Sequence, residues 1–160
     1  DVLATNGVLH VIGDVLLPTI ADTVTYYDDG TSTFKTLLAA LTAADLAATL
    51  AGPGPFTVFA PNDAAFAKIP KETIDSLLLP ANKAQLQTIL GYHVVAGDPV
   101  YSNAIAPGTV HTLSGPVNVN VSGSTVELDA GGGKSRVILT DLPASNGVTH
   151  VIDTVILPPS

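Results

Sequence analysis

Four histidines, His10, His93, His111 and His150, are the side chains best suited to proton transfer or metal binding in this chain. No two stand at the i, i+4 spacing that puts a pair of ligands on one helical face, so a helical zinc site is not encoded. Cysteine is absent, which removes thiolate nucleophiles, cysteine metal sites and disulfides together. No serine lies in a G-x-S-x-G elbow. Glutamate occurs only as Glu72 and Glu127, so a glycosidase pair would have to rest on aspartates. The glycines at 52, 54 and 131–133 lack the lysine and spacing of a phosphate loop. Asp28-Asp29-Gly30-Thr31-Ser32 offers hard oxygens, but the twelve-residue calcium loop with its terminal Glu is missing, and an exposed acidic turn is the expectation. What remains for chemistry is a dispersed arrangement in which the fold gathers His93, His111 and His150 with aspartates or serines in a concave pocket. That small-ligand-binding or hydrolytic site is the alternative. The expectation is a non-enzymatic chain with no cofactor and no metal.

Contact chemistry is better represented. Tyr92-His93 sits where a strand is expected to begin, and period two predicts one of the pair buried and the other more exposed. Tyr26 and Tyr27, followed by Asp28 and Asp29, suit a contact patch, since tyrosine covers area at little entropic cost. Asn120-Val121-Ser122 fits the glycosylation triplet on the wet face of a predicted strand.

The elements that must position these residues follow from periodicity and turn chemistry. Asp22–Thr33 reads as strand or loop ending in a polar turn at Asp29-Gly30. Phe34, Leu37, Leu38 and Leu41 share a helical face, and Thr42 with Asp45 resembles a capping box, so two consecutive helices, or one kinked helix, are expected up to Gly52. Phe56–Ala60 is a short, nearly uncharged run expected as a central strand and stopped by Pro61. Asn62 should cap a short helix anchored by Phe66, a helix should start near Thr73, and Asn82 should cap another closed by Gly91. Strands are then expected at Tyr92–Val95, Thr109–Leu113, Val117–Val121, Val126–Leu128, Arg136–Leu139 and Thr149–Leu157, with a flexible glycine loop at Ala130–Lys134. Helices first and short-looped strands later predict an α+β fold.

The sequence repeats once. Residues 2–18 (VLATNGVLHVIGDVLLP) and 142–158 (LPASNGVTHVIDTVILP) agree at ten of seventeen positions at an offset of 140. A period of this size is one domain, so residues 1–18 read as the C-terminal strand segment of a preceding module and 19–160 as one complete module. Two copies of one strand also raise homophilic assembly, in which the N-terminal segment pairs with another molecule.

The 160 residues, 46% hydrophobic and 12% charged, are enough for a packed core and are not those of a disordered chain. Six basic residues against fourteen acidic ones give a net charge of −8, which argues against nucleic-acid partners. No apolar run is long enough to span a membrane. Methionine is absent even at position 1, which implies a mature product or an excised segment.

Phe56–Phe66 (FTVFAPNDAAF) closely resembles the first signature segment of fasciclin-like (FAS1) domains, and Ser145–Pro158 (SNGVTHVIDTVILP) resembles the second, with Tyr92-His93 between them. The resemblance implies a wedge of antiparallel β-sheets with helices packed along one side. It implies structural roles for Phe56, Thr57, Phe59, Pro61, Phe66, Asn146, Gly147 and His150. It further implies a secreted or cell-surface module, often in tandem, that binds extracellular protein or polysaccharide through strand edges and loops. By the same resemblance Tyr92-His93 and Ile152-Asp153, the latter in reversed order, are candidate partner-binding positions. The polar segment at 23–30 and the Gly131–Gly133 hairpin depart from the usual pattern and are candidate recognition surfaces.

Overall fold

The computed structural model describes residues 2–4, 7–9, 19–26, 33–97 and 99–159. Tyr27, Asp28, Asp29 and the acidic turn after them lie outside the described residues. The first described elements are two strands, β1 (Val2–Ala4) and β2 (Gly7–Leu9), which pair with each other and, among the described residues, with no other strand. Helices α1 (Ile20–Tyr26), α2 (Lys35–Ala43) and α3 (Ala47–Leu50) follow, then β3 (Phe56–Pro61), α4 (Asp63–Phe66), α5 (Lys71–Leu77) and α6 (Lys83–Gly91). The remainder is strand: β4 (Val94–Ala96), β5 (Gly108–His111), β6 (Pro116–Ser122), β7 (Thr125–Asp129), β8 (Lys134–Ala144) and β9 (Gly147–Ile152). With β3 these six form one seven-stranded sheet in the order β4-β3-β9-β8-β7-β6-β5.

The expected α+β class holds, and helices precede most strands. The sheet is mixed rather than wholly antiparallel, because β3 and β9 run parallel from Phe56↔Gly147 to Pro61↔Ile152. These two central strands divide the core. Val58, Ala60 and Val151 point to the helices and meet Leu37, Leu41 and Leu90. Phe59 and Ile152 point to the other side and meet Val117, Val119 and Leu128 from the β6–β7 hairpin. On β6 the valines at 117 and 119 are buried while Asn118 and Asn120 are exposed, as the alternation predicts.

Several local expectations change. The segment at 20–26 is a helix, not strand or loop, and its start is a reciprocal box that periodicity did not register. The Thr19 amide and hydroxyl donate to the Asp22 carboxylate (3.0 and 2.8 Å), and the Asp22 amide donates to Thr19 Oγ1 (3.2 Å). Those hydrogen bonds hold the Asp22 carboxyl below its usual range. Thr42 and Asp45 do not form a box. Thr42 Oγ1 donates back to Leu38 O (2.8 Å), and Asp45 takes φ 58°, so that the Leu46 amide reaches Leu41 O (2.9 Å) and closes α2 in a left-handed stop. Asn62 does cap α4, accepting from the Ala65 amide at 2.9 Å. Asn82 precedes α6 without capping it: its backbone, at φ −105° and ψ 11°, is not extended as a cap requires, and its Nδ2 donates instead to Ser76 O (2.8 Å). Helix α5 starts at Lys71 behind Pro70, near Thr73 as expected.

The glycines of the β7–β8 turn are not a free loop. A Cβ at Gly132 would fall 2.6 Å from the carbonyl oxygens of both Leu157 and Pro158, so this turn closes on the C-terminal tail. At the start of the chain, β1 and β2 pair as Val2↔Leu9, Leu3↔Val8 and Ala4↔Gly7. Adding 140 to each number gives Leu142↔Thr149, Pro143↔Val148 and Ala144↔Gly147, the pairing of β8 with β9. The sequence repeat is thus also a hairpin repeat in the same register.

Candidate functional site

The two signature segments form the adjacent parallel strands β3 and β9, and close approach dictates their residues. Gly147 has φ 153°, and a Cβ there would stand 1.8 Å from Phe56 O, so no side chain fits. Asn146, for which the family resemblance implied a structural role, is a three-way tie. Its Nδ2 donates to Leu50 O (2.6 Å) and Gly52 O (2.8 Å), and its Oδ1 accepts from the Ile20 amide (2.9 Å). One side chain thereby fixes the start of α1 and the end of α3 to the β8–β9 turn. Thr57, Phe59, Pro61 and Phe66 are buried, and Phe56 is partly so.

His150 is fully buried, and its ring stacks on Phe59 with centroids 5.6 Å apart. Nδ1 accepts from the Asp141 amide (3.2 Å), which leaves Nε2–H to donate to Val100 O (2.6 Å). Burial pushes its pKa below the ordinary histidine value, against the opposing pull of the Val100 carbonyl and the Asp141 charge. Asp141 occupies an irregular stretch of β8 with φ 61°, and its carboxylate accepts from the Ser102 amide (2.8 Å) and hydroxyl. Burial raises that carboxyl, but the two Ser102 hydrogen bonds outweigh it and hold the group below its usual range. Thr57 Oγ1 accepts from the Val100 amide (2.8 Å). The result is a clip that presses the segment 99–104 onto the sheet.

Serine, aspartate and histidine do meet in this clip, but in an order that cannot activate a nucleophile. The carboxylate holds the serine rather than the histidine, and both ring nitrogens are bonded to backbone groups. His93 is likewise closed off. It is 1% exposed, with Nδ1–H donating to Ile89 O (2.8 Å) and Nε2 accepting from the Ile156 amide (2.9 Å). Burial pushes its pKa down to about 4. His111 lies apart and exposed on β5, at the outer edge of the sheet. Among the described residues, no group of three histidines or carboxylates could hold a metal ion.

The expectation that one of Tyr92 and His93 is exposed is corrected. Both are buried, because they form the turn after α6 rather than the start of a strand, and β4 begins only at Val94. Tyr92 packs with Phe59, Val95 and Ile156, its hydroxyl against Gly115, where a Cβ would stand 2.7 Å away. Ile152 is also fully buried. Asp153 is partly exposed, and it is occupied by the Arg136 amide (3.0 Å) and the Thr154 hydroxyl (2.9 Å), with Lys68 Nζ at 3.8 Å. Asn120 is exposed opposite Glu127 on β7. The backbone of Tyr26 closes α1.

What sequence reasoning missed is a groove of about 480 Å³ at the β8–β9 turn end of the sheet. Pro53, Pro55 and Pro99 line it with Ser145, and the clip sets Tyr101, 43% exposed, at its side. No charged residue lines it, in a chain whose net charge is −8. The Gly-Pro run before β3 and the Pro-x-Tyr at 99–101 were the available signals. A second cleft, of about 560 Å³, lies between α4 and α5, where Lys68 and Lys71 flank it and the Asp63 carboxylate is spent on Thr33 and the amides of Lys35 and Thr36.

The Fasciclin domain pattern matches residues 32–158, most of the chain. The chain belongs to the fasciclin domain family. Protein sll1483 of a Synechocystis strain is 49% identical over 131 residues, covering 81% of this chain and 70% of the relative. Transforming growth factor-beta-induced protein ig-h3 of Sus scrofa is 34% identical over 158 residues, 98% of this chain but only 22% of that protein. Among solved structures, a FAS1 domain pair from the insect cell adhesion molecule Fasciclin I superposes with a TM-score of 0.76 at 19% identity. It is matched over 98% of this chain and 57% of its own, and at that identity the likeness speaks for the fold. In this fasciclin domain the two signature segments are a paired interior, and the buried histidines serve the scaffold.

Proposed function

We propose that this fasciclin domain is a non-enzymatic extracellular adhesion module that holds protein or glycan partners at a matrix or cell wall. The observation that carries the proposal is the commitment of both buried histidines to backbone groups, and of Asp141 and Ser102 to each other, within the fold of an adhesion-protein family. Contact then falls to the rim. The Tyr101 groove is the surface we favour, since an exposed tyrosine beside prolines suits neutral extended chains and sugar rings. The segment at Tyr26–Asp29 and Asp153 remain further candidate contacts. Binding at Tyr92-His93 or Ile152 would need the core to open, which argues against them as contacts. No helix among the described residues is long and apolar enough to cross a membrane.

Residues 1–18 are best explained as the end of a preceding module. The shared register of the two hairpins and the alignment with ig-h3 across nearly the whole chain support this. Immobilised matrix proteins and cell-wall polysaccharides, probed with the wild-type chain and with Tyr101→Ala, test the function. The expected result is retention of the wild type on at least one surface and a loss of about tenfold in Y101A with unchanged folding. Retention of neither would end the adhesion proposal, and equal retention of both would move the contact away from the groove.

A further inference from the structure

The cleft between α4 and α5 does not end at its mouth. Three of the residues that line it, Phe66, Ile69 and Ile74, also line a hollow behind α5, so the two spaces meet along that wall. The hollow reaches Leu77, Leu86 and Leu157, and only apolar side chains line it. At about 20 Å³ it admits little more than a single water, and an apolar void of that kind stays dry. The wall that α5 supplies is thin. None of the helix's residues is buried, and Ile74, Leu77 and Leu78 are only partly so. Pro70 precedes the helix, and Leu79, 54% exposed, and Pro80 follow it. Seven residues between two prolines, with no buried side chain, belong to the low-stability end of the structure and can move away as a unit.

The mouth has the opposite chemistry. Lys68 and Lys71 line it, two of only six basic residues in a chain of net charge −8. Lys68 Nζ donates to Thr154 Oγ1 (3.0 Å), with Asp153 Oδ2 at 3.8 Å. Lys71 is exposed and has no ion-pair partner among the described residues. Asp63 is the single carboxylate in the lining, and both its oxygens are engaged, by the Thr33 hydroxyl and by the amides of Lys35 and Thr36. Cations at the mouth with hydrocarbon behind them match a ligand that carries an anionic head on an apolar tail.

We propose that this double cleft binds one long-chain fatty acid, its carboxylate at Lys68 and Lys71 and its alkyl chain in the hollow, which widens as α5 moves outward. Burial of methylenes supplies most of the affinity, and the exposed lysines select the charged head. A free chain fits better than a bilayer, because α5 exposes Glu72 and Asp75, which an anionic membrane surface repels. The site shares no residue with the Tyr101 groove and is independent of the partner held there.

The probes are dodecanoate, below its micelle concentration, and dodecanol, the same chain without the charge. Binding is measured by calorimetry. Hydrogen exchange is followed at Ile74 and Leu78, whose amides donate to Pro70 O (3.2 Å) and Ile74 O (3.0 Å). The expected result is one dodecanoate per chain, with exchange at both amides slowed about tenfold or more near saturation. Dodecanol should bind roughly fivefold more weakly. The variant Lys68→Ala/Lys71→Ala, changed at two exposed positions, should keep the wild-type circular dichroism spectrum and bind dodecanoate only as well as the wild type binds dodecanol. Tyr101→Ala should bind dodecanoate as the wild type does, so that loss of adhesion and loss of this site are read apart. No saturable binding of dodecanoate, equal binding of the two probes by the wild type, an unaffected double-lysine variant, or slowed exchange confined to the sheet each overturns the proposal. Binding to anionic lipid vesicles without binding of free dodecanoate would overturn it in favour of a membrane surface.

Discussion

Thr149 and His150 sit side by side on β9 and are opposite cases of one rule, that a buried polar group is costly only when unpaired. His150 has both nitrogens satisfied, so His150→Ala should leave the Asp141 amide and the Val100 carbonyl without partners and a hole beside Phe59. Each orphan costs about 1–3 kcal/mol, and the variant should lose roughly 3–5 kcal/mol in urea unfolding. A loss under about 1 kcal/mol would mean that the clip is not structural. Thr149 Oγ1 has no partner among the described residues, so Thr149→Val, which removes the hydroxyl at constant shape, should gain about 1 kcal/mol. A destabilised T149V would show that the hydroxyl is satisfied in solution. Both residues were visible as parts of a signature segment. Neither role was, because the partners Asp141, Val100 and Ser102 are 39 to 50 positions from the residues they hold, or lie across a strand irregularity that no periodicity marks.

Helices and strands were legible where a single local signal governed them. Asn62 before Asp63 capped α4 as its type requires, and the valines of β6 alternated with asparagines. Legibility failed where a tertiary partner reassigned a residue. Asn82 looked like a cap but binds back to Ser76, and Tyr92-His93 looked like alternating strand but is folded under α6 by two backbone bonds to His93. Helix α1 was misjudged because its seven residues carry β-branched threonine and valine, and what stabilises it lies at its start, in Thr19, Asp22 and Asn146. That dependence is testable at Asn146. Asn146→Asp keeps the acceptor for the Ile20 amide but loses both donors to Leu50 and Gly52, whereas Asn146→Ala loses all three bonds. Hydrogen exchange should quicken at Ile20 in N146A but not in N146D, with N146A less stable than wild type by about 2–4 kcal/mol. Equal exchange at Ile20 in the two variants would dissociate α1 from this side chain.

Over the whole molecule, the resolved proton equilibria lean one way. His93 and His150 have folded pKa values below the ordinary 6.5, and Asp22, Asp63 and Asp141 lie below 3.8. For Asp63 burial pulls upward, but the hydroxyl of Thr33 and the amides of Thr36 and Lys35 prevail. In every case the unfolded chain binds the proton more tightly, so acid favours unfolding. The histidine contribution is complete above pH 6.5 and is lost as pH falls toward about 4, the value for His93. The carboxylate contribution is complete above 3.8 and is lost below it. The net charge of −8 acts against this, since mild acid relieves repulsion among carboxylates. At physiological ionic strength surface repulsion is screened over about 8 Å, whereas one buried histidine changes stability by up to about 1.4 kcal/mol per pH unit. The buried rings should therefore win, and urea midpoints should be flat above pH 7, fall between 6.5 and 4, and fall again below 3.8. A His93→Gln variant, less stable at neutral pH, should show a shallower first fall. A midpoint that rises from pH 7 to pH 5 in the wild type would mean that surface charge, not the two buried imidazoles, sets the acid response of this domain.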